Sequence, residues 1–147
     1  MKFEFGFQAF YYIYYDGIIK EVKQIGDELD TYISNNSYAP DCVLDKTTLS
    51  FINTENLKCR VRSRYQATSN LKSPIEYNVM TMIYEIPMPQ SELIETPEEE
   101  LPTYIGKALL KVLESQNAPV KIRKQFDRER FISDVRDFFV NVKGCQL

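Results

Sequence analysis

The chain has 147 residues, a formal net charge of −3, and neither histidine nor tryptophan. This length fits one domain, residues 1–147, and 44% hydrophobic residues suffice for a core without disulfides or structural metals. No apolar run reaches about 18 residues, which argues against a membrane span. The three cysteines, Cys42, Cys59 and Cys145, have no paired spacing and predict free thiols in a reducing cytoplasm.

Alternating aromatic residues open the chain and predict a first strand over residues 2–15. Apolar residues then recur at helical spacing from Ile18 to Leu29. They predict a helix over about 17–35, with Asp16 as its N-cap. Gly26 lies inside this helix at a cost of about 1 kcal/mol relative to alanine. We therefore expect it to allow a close approach of the helix to the sheet.

Three further strands are expected in the middle of the chain. The second strand is predicted over 43–53, and the polar residues 53–56 are typical of a hairpin turn. Residues 57–67 and 75–86 each alternate with a period of two and predict a third and a fourth strand. Pro87-Met88-Pro89 should end the sheet, because proline cannot donate a hydrogen bond to a ladder.

The C-terminal third predicts helices. Thr96 is the expected N-cap of the first, with Pro97 at the first helical position and Glu99 completing a capping box. Pro102 should either kink this helix or separate a short first turn from its main body. A last helix is predicted over 127–142. The order β-α-β-β-β-α-α predicts an α+β domain with a mainly antiparallel four-stranded sheet, strands two to four in a meander, and helices packed on one face.

The composition argues against an enzyme. Without histidine the chain lacks the usual general base of serine and cysteine nucleophiles and the commonest metal ligand. It contains no P-loop, dinucleotide-binding or nucleophile-elbow motif, and no cysteine pair with zinc spacing. We predict no catalytic residue, no cofactor and no metal. A small enzyme or ligand-binding domain would require an aromatic pocket with convergent carboxylates.

Charge is segregated along the chain, and the acidic and the basic residues each predict a surface for a different kind of partner. Acidic residues on the first helix and before the next one would suit a basic protein partner. They are Asp27, Glu28, Asp30, Glu92, Glu95, Glu98, Glu99 and Glu100. The alternative is a nucleic-acid-binding sheet face formed by Lys58, Arg60, Arg62 and Arg64. The acidic net charge argues against nucleic acid, and pairing with acids such as Glu76 is the simpler interpretation of the basic stripe.

The stretch 74–88 (PIEYNVMTMIYEIPM) leads through Ser91-Glu92-Leu93 and residues 98–101 into an apolar helix at 108–113. This succession resembles bacterial polymorphic-toxin immunity proteins, and among them the immunity protein 39 family. The resemblance implies a cytoplasmic, non-enzymatic protein that binds a cognate toxin domain and neutralises it by occluding its active site. Another non-enzymatic protein-interaction domain is the alternative. A homodimer through an exposed sheet edge is a further partner hypothesis.

Overall fold

The computed structural model describes residues 1–8, 12–40, 44–55, 75–78, 81–120 and 122–147. The strands are β1 (Lys2–Gln8), β2 (Lys46–Ile52), β3 (Ile75–Asn78) and β4 (Thr81–Pro87). The helices are α1 (Tyr12–Ile33), α2 (Gln90–Glu95), α3 (Leu101–Ser115) and α4 (Arg128–Asp137), with a 3-10 turn at Glu98–Glu100 and a π turn at Phe138–Val142. The short helix α2 is an addition to the predicted order.

The described strands form one mixed sheet in the order β1-β2-β4-β3. β1 is parallel to β2, β2 is parallel to β4, and β3 alone pairs in the antiparallel sense, with β4. The prediction of a mainly antiparallel sheet is therefore wrong, and so is the meander, because β4 lies between β2 and β3. A period of two indicates which face of the sheet each side chain lies on, but it does not indicate the direction of the strand. Parallel neighbours need a crossover connection, which α1 provides between β1 and β2.

One face of the sheet carries the hydrophobic core. Phe5, Leu49 and Tyr84 are aligned across β1, β2 and β4 and are buried against the helices. Each of the described helices contributes buried residues to this same core. The opposite face is more polar, with an ion pair of 2.6 Å between Lys46 Nζ and Glu4 Oε1. The acids of α1 and α2 are thus carried by helices with packed inner faces, whereas Glu98–Glu100 form an exposed 3-10 turn.

Helix α1 packs closely on β1. Its buried stripe comprises Ile19, Val22, Ile25, Leu29 and Ile33. Gly26 faces the ring of Phe5, and a Cβ atom at this position would lie only 2.7 Å from Phe5 Cγ. The close approach expected from a glycine inside the helix is confirmed.

Several predicted boundaries are wrong. β1 ends at Gln8, and residues 12–15 belong to α1, so Asp16 lies inside the helix and does not cap it. Residues 75–86, predicted as one strand, contain two strands, β3 and β4, that pair with each other. An alternating pattern does not reveal where the chain reverses. The predicted strand at 57–67 lies outside the described residues.

Helix α3 begins differently from the prediction. The Thr96 hydroxyl donates to the carbonyl of Glu92 at 2.6 Å, at the end of α2, and neither the 3-10 turn nor α3 has a side-chain cap. The capping box is therefore wrong. Pro102 occupies the first turn of α3, where a missing N–H removes no helical hydrogen bond. The alternative of a short turn separated from the main helix is confirmed by the turn at Glu98–Glu100.

Helix α4 starts as predicted and also caps α3. The Asp127 carboxylate accepts a hydrogen bond from the N–H of Arg130 at 3.2 Å. The Arg128 guanidinium donates to three carbonyls at the end of α3. These are Leu113 at 2.9 Å, Glu114 at 2.6 Å and Gln116 at 3.0 Å. The predicted helix over 127–142 continues after α4 as the π turn, whose last residue, Val142, is 52% exposed.

Candidate partner-binding surface

The predicted acidic residues lie mainly on the surface. Six of the eight are exposed: Asp27, Glu92, Glu95, Glu98, Glu99 and Glu100. The five glutamates of this set, between 92 and 100, are referred to as the acidic segment. No basic residue occurs between 90 and 100, so this segment presents one sign of charge along α2 and the following 3-10 turn.

The other two predicted acids are half-buried and have structural contacts. The Asp30 carboxylate accepts a hydrogen bond from the backbone N–H of Phe3 at 2.8 Å. Because β1 is an edge of the described sheet, Asp30 fixes α1 against that edge. The Glu28 carboxylate pairs with Lys143 Nζ at 2.5 Å and links α1 to the C-terminal segment. Both residues therefore have a role in the fold that their sequence pattern did not reveal.

A small hollow of about 170 Å³ joins α1 to the acidic segment. Glu21 and Glu28 line it from α1, Glu98 lines it from the 3-10 turn, and Lys143 closes it. Asp27 and Glu21 line a further open hollow on the surface of α1. Tertiary structure thus brings Glu28 and Glu98, which are far apart in the chain, to one place.

An open groove, referred to as the α3 groove, runs along the outer face of α3. It consists of two adjoining hollows of about 580 and 640 Å³ that share Tyr104 and Lys107. Glu99 and Glu100 line one end, and Lys111 lines the other. Sequence reasoning missed the two lysines. Their spacing of four residues on the polar side of an apolar helix was the available signal, because it places both on one face.

Tyr104 holds one glutamate of the acidic segment against α3. Its hydroxyl donates to Glu92 Oε2 at 3.0 Å. Burial of the phenol, followed by this hydrogen bond and the nearby carboxylate charges, raises the pKa of Tyr104. The hydroxyl therefore remains a donor across the physiological pH range, and its hydrogen bond holds Glu92 against α3.

The loop after β2 fixes the start of α2. The Asn53 side-chain oxygen accepts a hydrogen bond from the N–H of Gln90 at 3.0 Å. The Glu55 carboxylate accepts two hydrogen bonds from Ser91, at 2.6 Å from the hydroxyl and 2.8 Å from the N–H, and they lower the pKa of Glu55. The acidic segment is thereby attached to the sheet by side chains as well as by the chain itself.

The other predicted sites receive less structural support. Lys58, Arg60, Arg62 and Arg64 lie outside the described residues, so the nucleic-acid face stays a prediction, as does the dimer through a sheet edge. Within the described parts of the chain, no helix has the length and apolar character needed to cross a membrane. No group of acidic or cysteine side chains in those same parts is placed to hold a metal ion. Cys145 is a buried free thiol.

Comparison with known families identifies the class of the chain. The model of the family described as immunity protein 44 matches residues 1–141. No curated protein and no solved structure gives a match. The predicted class, a polymorphic-toxin immunity protein, is confirmed, and the family is number 44, of the same kind as the predicted number 39.

Proposed function

We propose that this chain, which belongs to the immunity protein 44 family, neutralises its cognate toxin by binding it directly. Family membership establishes an immunity protein of a polymorphic-toxin system, and the match over residues 1–141 is the observation that carries this function. The proposal adds the mode of action. The chain binds the toxin domain in the cytoplasm of the producing cell, blocks its active site and performs no catalysis.

The acidic segment and the neighbouring acids of α1 are the surface that we assign to the toxin. Asp27, Glu95 and Glu98 support this assignment because all three are exposed, on α1, α2 and the 3-10 turn respectively. Like charges on a rigid surface steer an oppositely charged partner and speed its association. The assignment therefore predicts a toxin domain with a basic surface around its active site.

The test uses the toxin encoded beside the gene. We expect the two proteins to co-purify, and we expect co-expression of the wild-type chain to protect cells from the toxin. The double variant Glu95→Lys plus Glu98→Lys should slow association by about tenfold or more at low salt. The matched control is Glu129→Lys plus Asp137→Lys, which makes the same change in charge at exposed positions of α4.

The outcomes distinguish an error in the proposed function from an error in the assigned surface. If the wild-type chain neither binds nor protects against the adjacent toxin, direct neutralisation is refuted. If it protects and the Glu95/Glu98 variant associates as fast as the control, the function stands and the assigned surface is wrong. Stopped-flow association at several salt concentrations measures the difference, since steering by charge weakens as salt increases.

A further inference from the structure

We propose that the α3 groove binds the same groove of a second copy of this chain, forming a two-fold symmetric dimer. The groove is open, and its wall includes apolar side chains from two elements. Pro87 and Pro89 come from the end of β4, while Tyr104, Ala108 and Val112 come from α3. This surface is distinct from the sheet edge. It shares Glu92, Glu99 and Glu100 with the acidic segment, so Asp27, Glu95 and Glu98 are the acids that a dimer leaves to the toxin. The dimer itself does not rest on the proposed binding of a toxin.

Charge along the groove is divided between its two ends. Glu99 and Glu100 lie at the start of α3, and Lys107 and Lys111 follow in its middle turns. All four side chains are exposed. None of them forms an ion pair with another of the residues that the structure describes. Glu92 also lines the groove, where it accepts the hydrogen bond from Tyr104. Along the exposed stripe of α3 itself, the two glutamates precede the two lysines, and this order is the charge division on which the proposal rests.

This division makes the groove complementary to itself. A two-fold axis that crosses the outer face of α3 midway between Tyr104 and Lys107 sets the helices of the two copies antiparallel. With a rise of about 1.5 Å per residue, Glu100 and Lys111 each lie about 8 Å from that axis, on opposite sides. Glu100 of one copy then faces Lys111 of the other, and symmetry repeats the contact.

Thr103 and Ala108 are small and occupy equivalent positions on either side of the axis, and Tyr104 of one copy stands opposite Lys107 of the other. The apolar wall provides area to bury, while the charged residues fix the direction of packing. A second copy is the occupant that we commit to because its Glu100 and Lys111 complement the Lys111 and Glu100 of the first copy.

The test measures the mass of the protein alone. We expect sedimentation equilibrium to show that the wild-type chain dimerises at micromolar to submillimolar concentrations. Two double variants, Glu99→Lys plus Glu100→Lys and Lys107→Glu plus Lys111→Glu, should each raise the dimer dissociation constant by about tenfold or more, because each places like charges opposite one another. An equimolar mixture of the two variants should restore a dimer, since opposite charges then face each other at every contact.

Glu129→Lys plus Asp137→Lys changes charge equally outside the groove and should leave the dimer intact. Circular dichroism verifies that each variant is folded. A wild-type chain that stays monomeric, variants that dimerise as tightly as wild type, or a mixture that fails to associate would each overturn the proposal. The toxin test uses Glu95 and Glu98, which leaves the four groove charges unchanged and keeps the two proposals separable.

Discussion

The substitution Gly26→Ala should destabilise the protein, although alanine is the better helix former. Replacing an interior helical glycine by alanine favours the helix by about 1 kcal/mol. Here the added Cβ would lie 2.7 Å from Phe5 Cγ and 2.9 Å from Cδ2. Ordinary carbon contacts are about 3.5–4.0 Å. Helix α1 or the Phe5 ring must therefore move by close to 1 Å.

The ring has little freedom to move. Phe5 is buried, and its ring packs edge-on against Phe51 with 5.0 Å between centroids. Overpacking of a close-packed core costs about 1–3 kcal/mol. After the gain in helix propensity is subtracted, the expected net loss in the free energy of unfolding is up to about 2 kcal/mol. For a domain of this size the melting temperature should fall by several degrees.

The same helix contains the matched control. Gly17 has nothing within 4 Å of a Cβ built on it, so Gly17→Ala should stabilise the protein by up to about 1 kcal/mol. Urea unfolding followed by circular dichroism measures both variants. If Gly17→Ala is stabilising and Gly26→Ala is equally so, α1 does not lie as close to β1 as the structure places it, and the reasoning fails.

Three further predictions concern hydrogen bonds that hold α2, α3 and α4 in place. Arg128→Met should lower the free energy of unfolding by about 1.5–3 kcal/mol, because it leaves carbonyls at the end of α3 without their charged donor; urea unfolding that matches wild type would contradict this. Tyr38→Phe removes a 2.6 Å hydrogen bond from a buried phenol to Asp134 Oδ2 and should cost about 1–2 kcal/mol by the same assay. The pKa of Glu55 is lowered in the folded protein from its ordinary value of 4.5 by hydrogen bonds from Ser91. Its contribution is therefore present above pH 4.5 and lost as the pH falls through the lowered folded value. Glu55→Gln should then be less stable than wild type at pH 7, and the stability curves of the two proteins should converge in acid; a constant difference would refute the assignment.

Local patterns in the sequence identified much of the secondary structure. The phenylalanines of β1 lie on the core face, and the apolar stripe of α1 from Val22 to Leu29 is buried as its spacing predicted. The last helix starts within one residue of its predicted beginning. These predictions hold because burial selects side chains at the period of the element that carries them. The two predicted caps, Asp16 and Thr96, were wrong because the true helix boundaries lie elsewhere.

The partner surface was only partly predictable. The acidic residues were recognised from composition, and most of them are exposed. Asp30 instead bonds to the N–H of Phe3, and Glu28 pairs with Lys143. Lys107 and Lys111 were not singled out, because only the placement of Pro87 and Pro89 beside α3 turns its polar face into a groove. Whether a charged residue faces solvent, a backbone group or a counter-ion depends on elements that are distant in the chain.

The sequence by itself determined the class of the protein and the faces of most of its elements. It also determined the position of Gly26, where a helix and a strand come close. Tertiary structure alone decided the strand order β1-β2-β4-β3 and its parallel pairings. It also decided the division of residues 75–86 into two strands and the placement of Glu28 and Glu98 in one surface hollow. The physical reason is that periodicity is set by near neighbours along the chain, whereas strand direction, pairing and the joining of surface charges are set by contacts between segments that the sequence separates.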